Sequence, residues 1–234
     1  MIVFPMVGRS SRFFNAGYQR PKYELLVDGV SVFSHAVKSF EKYFLTDLFY
    51  FIVRSDFDAR NFVLSELGKL GVMNYVIFEI EGETLGQADT VYQGIATYSD
   101  DEELYIFNID TFRPKFEKPE FAQKCDGYLE VFHGVGDHWS FIEPGSDFSV
   151  LRTTEKDRIS SMCSDGLYFF KRKYDFDRAF ETAKRKSDTV KGEYYIAPLY
   201  NILINAGKDI KYDLIEETEI IFCGTPEEYS KISR

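Results

Sequence analysis

The sequence holds little with which to build a disulfide framework or a zinc centre. Cys125, Cys163 and Cys223 are its only cysteines, odd in number and widely separated, which reads as packed thiols. His35, His133 and His138 are the only histidines and lack metal-ligand spacing. No Ser–His–Asp or Cys–His constellation for nucleophilic catalysis stands out. No apolar run approaches the roughly 20 residues of a membrane-spanning helix, so no membrane partner is expected. The start, Ile2-Val3-Phe4-Pro5-Met6 followed by Gly8 and Arg9, lacks the basic residues and longer apolar segment of a signal peptide, and a cytoplasmic location is expected. Basic tracts are equally scarce: none exceeds Lys171-Arg172-Lys173, and 28 Lys and Arg against 38 Asp and Glu leave a net charge of −10. That balance argues against nucleic acid as a partner.

What is present is the alternation of an α/β protein. Ile2 to Met6 reads as a buried strand, and Ser31 caps a helix with Val32, Phe33, Ala36, Val37 and Phe40 at helical spacing. Strands are predicted at 48–53, 75–80 and 104–107. Helices are predicted at 58–70, closing near Gly71, and after Gly86, where Ala88, Val91, Tyr92 and Ile95 are apolar. This predicts a mainly parallel Rossmann-like sheet flanked by helices. From Gly127 to Phe170 the segments are short and β-like, predicting an antiparallel extension. Two helices, 174–186 and 193–206, and a last strand at 220–222 follow. The 234 residues contain no Pro- or Ser-rich linker, so one domain is expected, with two halves over about 1–112 and about 113–234.

Three motifs fall at strand ends, where open α/β sheets bind ligands. The first is Gly8-Arg9-Ser10-Ser11-Arg12-Phe13, with Pro21-Lys22 beginning nine residues after Arg12. A strand running into a glycine turn exposes N–H groups that can cradle a triphosphate. Arg12 can fork onto phosphate oxygens, and Lys22 can supply a point charge to the α-phosphate. The second, Glu81 to Ala88, sets Gly86 between a strand and a helix, where a backbone can approach closely. The third is Asp110, at the end of Phe107-Asn108-Ile109-Asp110. An acidic protein that handles phosphates needs local neutralisation, here from a few basic side chains and a divalent metal.

The run Gly8 to Phe13 with Pro21-Lys22 resembles the signature loop of sugar-phosphate nucleotidylyltransferases, a family with a glycosyltransferase-A-type fold. The version from Arg12 to Tyr18 is similar to members encoded with bacterial capsule and lipopolysaccharide genes. The resemblance covers most of the chain and implies the reaction of a nucleoside triphosphate with a phosphorylated small molecule, releasing pyrophosphate. It implies nucleotide contacts from Gly8, Arg9, Ser10, Glu81 and Gly86, catalytic roles for Arg12 and Lys22, and Mg2+ on Asp110. Thr154-Glu155-Lys156 and Asp165-Gly166-Leu167-Tyr168 resemble the family's acceptor segments. Glu155 is then expected on acceptor hydroxyls, Lys156 on its phosphate and the Gly166 backbone on its ring. A lone Trp139 is more in keeping with core than with that pocket. A homo-oligomer is left open.

Two departures matter. Family members often carry a base-reading Gln where Glu81 stands, and the exchange points to CTP. Many also carry a second metal-binding Asp two residues before the glycine of Gly224-Thr225-Pro226, where Phe222 stands. Glu193 is the replacement candidate, ahead of Asp209 and Asp213. Two rivals share the fold: a glycosyltransferase, which would carry an Asp-x-Asp motif that Asp110-Thr111-Phe112 does not supply, and a non-catalytic nucleotide-binding protein.

Overall fold

The apolar run at the N-terminus forms β1 (Ile2–Met6), whose Ile2, Val3 and Phe4 have no exposed surface, the burial of a parallel strand covered on both faces. The structure, a computed structural model, describes residues 1–233. The chain packs into two units. The first comprises Ile2–Glu83, Phe107–Glu117 and the stretch from Thr218; the second comprises Met1, Thr84–Ile106 and Lys118–Glu217.

In the first unit β1 is followed by the short helix α1 (Ser11–Asn15), a hairpin of β2 (Leu26–Val27) and β3 (Val30–Ser31), and α2 (Val32–Lys38). Then come β4 (Phe49–Arg54), α3 (Ala59–Leu70) and β5 (Tyr75–Ile80). β1 pairs with β4 and β4 with β5, both in parallel, with Phe4 opposite Phe51 and Phe51 opposite Ile77. Ser31 caps α2 as expected, its side chain accepting from the Ser34 N–H, and Gly71 closes α3 at φ 74. Phe4 stacks on Phe51 at 5.2 Å and meets Phe40 edge-on at 5.7 Å. Phe40 therefore joins the core from just beyond the helix end.

The second unit holds α4 (Gln87–Gly94) and β6 (Leu104–Phe107), whose last residue counts with the first unit. The first unit's β7 (Thr111–Phe112) comes next. The second unit continues with β8 (Gly127–His133), β9 (Ser140–Pro144), β10 (Val150–Glu155) and β11 (Met162–Phe170), then α5 (Lys173–Lys186), α6 (Leu199–Asn205) and β12 (Ile210–Leu214). Neighbours β9–β10, β9–β11 and β8–β11 are antiparallel, while β12 lies parallel to β8. The chain ends in the first unit with β13 (Ile221–Phe222), paired to β7, and α7 (Pro226–Ile232). The class is α/β, with a parallel sheet and flanking helices joined by an antiparallel extension. None of the described helices is long and apolar enough to cross a membrane.

One expectation fails. The helix read from Glu193 begins only at Leu199, and Glu193 instead makes an isolated bridge to Val190. The Tyr194 N–H donates to the Leu85 carbonyl at 2.7 Å, and the Tyr194 carbonyl accepts from Ala88 N–H at 3.0 Å. Main-chain groups bonded to another loop cannot also close helical turns. Helix α1, inside the loop after β1, was not anticipated. Nor was α7, although its capping box of Thr225 and Glu228 is readable in the sequence.

Candidate active site

In the first unit, β1 runs out at Gly8, where an added Cβ would meet nothing within 4 Å. Ser10 then takes a left-handed φ of 52, and its hydroxyl accepts from the Lys22 N–H at 3.0 Å. That bond joins the glycine loop to Pro21-Lys22. The Lys22 ammonium ion-pairs with Asp110 Oδ2, the two side chains being 22% and 18% exposed. Two expected residues 88 positions apart in sequence thus meet. Arg9 is exposed and paired with Glu83. Arg12 is exposed and makes no ion pair among the described residues, so its guanidinium is available to a phosphate. Glu81 is exposed just after β5.

Asp110 occupies the turn between β6 and β7. Its carbonyl accepts the Cys223 N–H at 2.8 Å, and a Cβ on Gly224 would stand 2.9 Å from its Oδ2. Glycine at 224 therefore keeps the space beside that oxygen open. Burial, reinforced by the Asp110 charge, pushes the Cys223 thiol up to about 12, as befits a packed thiol; all three cysteines are buried and free.

No cluster of three or more His, Cys, Asp or Glu forms a metal site among the described residues. Magnesium held chiefly by phosphates and waters needs only one or two carboxylates. Asp110 fits that donor set, since its hard oxygen borders the space Gly224 leaves and already carries a cation, the Lys22 ammonium.

The second unit holds two more arrangements. Around Gly86, φ is 106 and the Tyr194 main chain crosses so closely that a Cβ would stand 2.6 Å from its carbonyl oxygen. Leu85 N–H donates to Asp89 Oδ2 at 2.8 Å, closing the turn into α4. The exposed Glu193 adjoins it, its Cβ 3.0 Å from the same point.

Around Glu155, the last residue of β10, the carboxylate is buried and accepts from Ser140 Oγ, which lies 3.3 Å from the Tyr168 hydroxyl. Burial raises the Glu155 carboxyl above the ordinary range, while Ser140 and Lys156 pull it back down. Lys156 lies 3.7 Å from Glu155 Oε1 and bonds the Tyr195 hydroxyl. Gly166, at φ 98, sits where the β11 pairing to β8 shifts register between Ser164 and Tyr168, an irregularity of the kind that often marks a site. Trp139 is half-buried, and its indole donates to the Val135 carbonyl at 3.0 Å. Ser140, Tyr194 and Tyr195 were not foreseen, because nothing in local sequence ties them to Glu155, Lys156 or Gly86; Tyr168 stood in the segment with Gly166 but was given no role.

Comparison with solved structures finds proteins similar to this chain over its whole length. A nucleoside-diphosphate-sugar pyrophosphorylase from Vibrio cholerae RC9 is 46% identical over 100% of both chains, with a TM-score of 0.94. Far more distant in sequence, an inositol-1-phosphate CTP transferase from T. maritima shares the fold at 16% identity and a TM-score of 0.74, covering 97% of this chain and 89% of that one. A UDP-glucose pyrophosphorylase from Acinetobacter shares it at 12% identity and a TM-score of 0.71, over 99% and 91% of the two chains. No protein-family model matches the chain, and no curated protein does. The chain belongs to the nucleoside-diphosphate-sugar pyrophosphorylases, a family of sugar-phosphate nucleotidylyltransferases. It is therefore a nucleotidyltransferase, and the glycosyltransferase and non-catalytic readings give way.

Proposed function

We propose that the chain joins a nucleoside triphosphate, CTP by preference, to a sugar phosphate or related phosphorylated small molecule. Pyrophosphate leaves, and the activated product serves bacterial surface polysaccharide synthesis in the cytoplasm. The observation that carries the reading is the Lys22–Asp110 pair beside the space kept by Gly224, tied through Ser10 to a glycine loop whose Arg12 makes no ion pair among the described residues. The family relationship to the Vibrio cholerae protein supports the sugar-phosphate acceptor.

In this reading the N–H groups of Gly8, Arg9 and Ser10 and the guanidinium of Arg12 bind the triphosphate, with Glu81 and Gly86 at the nucleoside. Lys156 binds the acceptor phosphate, with Glu155 on its hydroxyls and the Gly166 backbone on its ring. A phosphate acceptor is already ionised near neutral pH, so no general base is required. One acceptor oxygen attacks the α-phosphorus in line and the bond to the pyrophosphate oxygen breaks. Lys22 stabilises the charge that shifts onto the α-phosphate oxygens. Asp110 would hold magnesium, with Glu193 the candidate second carboxylate; when bound, the ion neutralises phosphate charge and screens the leaving pyrophosphate. The test is a matrix of nucleoside triphosphates against phosphorylated sugars and alcohols, read by pyrophosphate release with and without magnesium. Magnesium-dependent release with at least one pair is expected; its absence throughout would sink the proposal.

A further inference from the structure

Lys156 follows β10 in a left-handed conformation, φ 55, with its N–H held by the Trp139 carbonyl at 2.8 Å. This fixes the main chain but not the ammonium, which ends a flexible four-carbon stem. Among the described residues, two side chains flank that ammonium. Glu155 Oε1 is 3.7 Å away, beyond good hydrogen-bond distance, and its other oxygen is bonded by Ser140. Tyr195 is the nearer partner: its hydroxyl takes the ammonium's hydrogen bond, and its ring centroid lies 4.2 Å from Nζ.

The difference between the two partners has a chemical consequence. A carboxylate in close contact would cancel the charge that a phosphate needs. A neutral phenol and an aromatic face hold an ammonium in place while leaving its charge intact. An ammonium also has three donors, so one on Tyr195 and one facing Glu155 leave a third for a phosphate oxygen. Tyr195 is itself well held, because the main chain of its neighbour Tyr194 is bonded on both sides to the Leu85–Ala88 turn.

We propose that Tyr195 is a positioning residue, holding the Lys156 ammonium without neutralising it, ready for the acceptor's phosphate. The proposal rests on the nucleotidyl-transfer reading for the identity of that anion, but the pairing can be tested without turnover. The full-length protein, Tyr195→Phe, Tyr195→Ala and Lys156→Met are reductively methylated with a 13C label and compared by NMR. The resonance missing from Lys156→Met belongs to Lys156.

In the wild type that resonance is expected upfield of exposed lysines, because it lies against an aromatic ring. It should remain upfield in Tyr195→Phe and move to the exposed-lysine position in Tyr195→Ala. Titration with inorganic phosphate should shift it in the wild type, with affinity about 10-fold or more lower in Tyr195→Ala, the scale of one lost charged hydrogen bond. A wild-type resonance at the exposed-lysine position, or equal phosphate affinity in wild type and Tyr195→Ala, overturns the proposal. Failure of the catalytic reading appears separately, as absent pyrophosphate release by the wild type, and leaves the NMR result to stand or fall alone.

Discussion

The main chain of Tyr194 lies directly over Gly86, close enough that a Cβ there would stand 2.6 Å from its carbonyl oxygen and 2.8 Å from its nitrogen. The sequence pattern suggested that Gly86 is glycine because a backbone approaches closely there. The first reason visible in the structure is the protein's own backbone.

Gly86→Ala is therefore expected to destabilise the fold and disturb the turn into α4 together. The positive φ alone costs an alanine about 1–3 kcal/mol, and the contacts at backbone atoms add to it. Urea denaturation should report at least that loss. A variant as stable as wild type would mean that the Tyr194 segment moves away without cost.

Lys22→Ala should lower kcat far more than it raises either KM, because its charge is needed most where charge redistributes. The expected loss is on the order of 10²-fold. Asp110→Asn keeps the shape and removes the charge that Lys22 contacts, so it should abolish nearly all turnover while circular dichroism stays unchanged. Steady-state pyrophosphate release measures both. A Lys22→Ala enzyme altered only in KM, or an Asp110→Asn enzyme keeping a third of its kcat, contradicts these roles.

Apart from α1 and the β2–β3 hairpin, the strands and helices of the first 110 residues were legible because apolar periodicity and turn chemistry agreed with the packing. Lys22 and Asp110 were legible as motifs, though the contact between them is not encoded locally. The misread helix at Glu193 has a plain cause. Tyr194, Ile196, Ala197 and Leu199 carry apolar spacing that suits a helix, yet the backbone of Tyr194 is bonded to Leu85 and Ala88, about a hundred residues earlier. Tyr195 was missed for a related reason: its partner Lys156 is 39 residues away, and a tyrosine in an apolar run looks like core.

Glu155 gives a pH signature. Its carboxyl is raised by burial in the folded protein, so its contribution to stability is fully present below the ordinary carboxylate value and is lost as pH rises through the raised one. Glu155→Gln removes that titration. The wild-type Tm minus the variant Tm should therefore fall as pH rises from about 4 to 7, the region spanning ordinary and raised carboxylate values. A difference that stays flat, or grows with pH, contradicts the direction of the shift. Since Ser140 and Lys156 both hold the ionised form, Ser140→Ala should raise the carboxyl further and steepen the fall.

The proposed preference for CTP turns on Glu81, which is exposed just after β5. A glutamine at this place can donate to a pyrimidine O4 and accept from N3–H, which suits uracil and thymine. An ionised glutamate only accepts. It would face O4 with like polarity, whereas the cytosine N4 amino group offers it a donor, as when carboxylates read cytosine in nucleic acids. Guanine also presents donors, which ranks GTP second. One mispaired acceptor in a closed site costs about 1–3 kcal/mol, so CTP should bind about 5- to 150-fold more tightly than UTP. Glu81→Gln should reverse the order by restoring a donor. Calorimetric titration of each triphosphate with magnesium, for both proteins, makes the comparison without an acceptor. Equal affinity of the wild type for UTP and CTP removes Glu81 from base reading and leaves the backbone around Gly86 to do it.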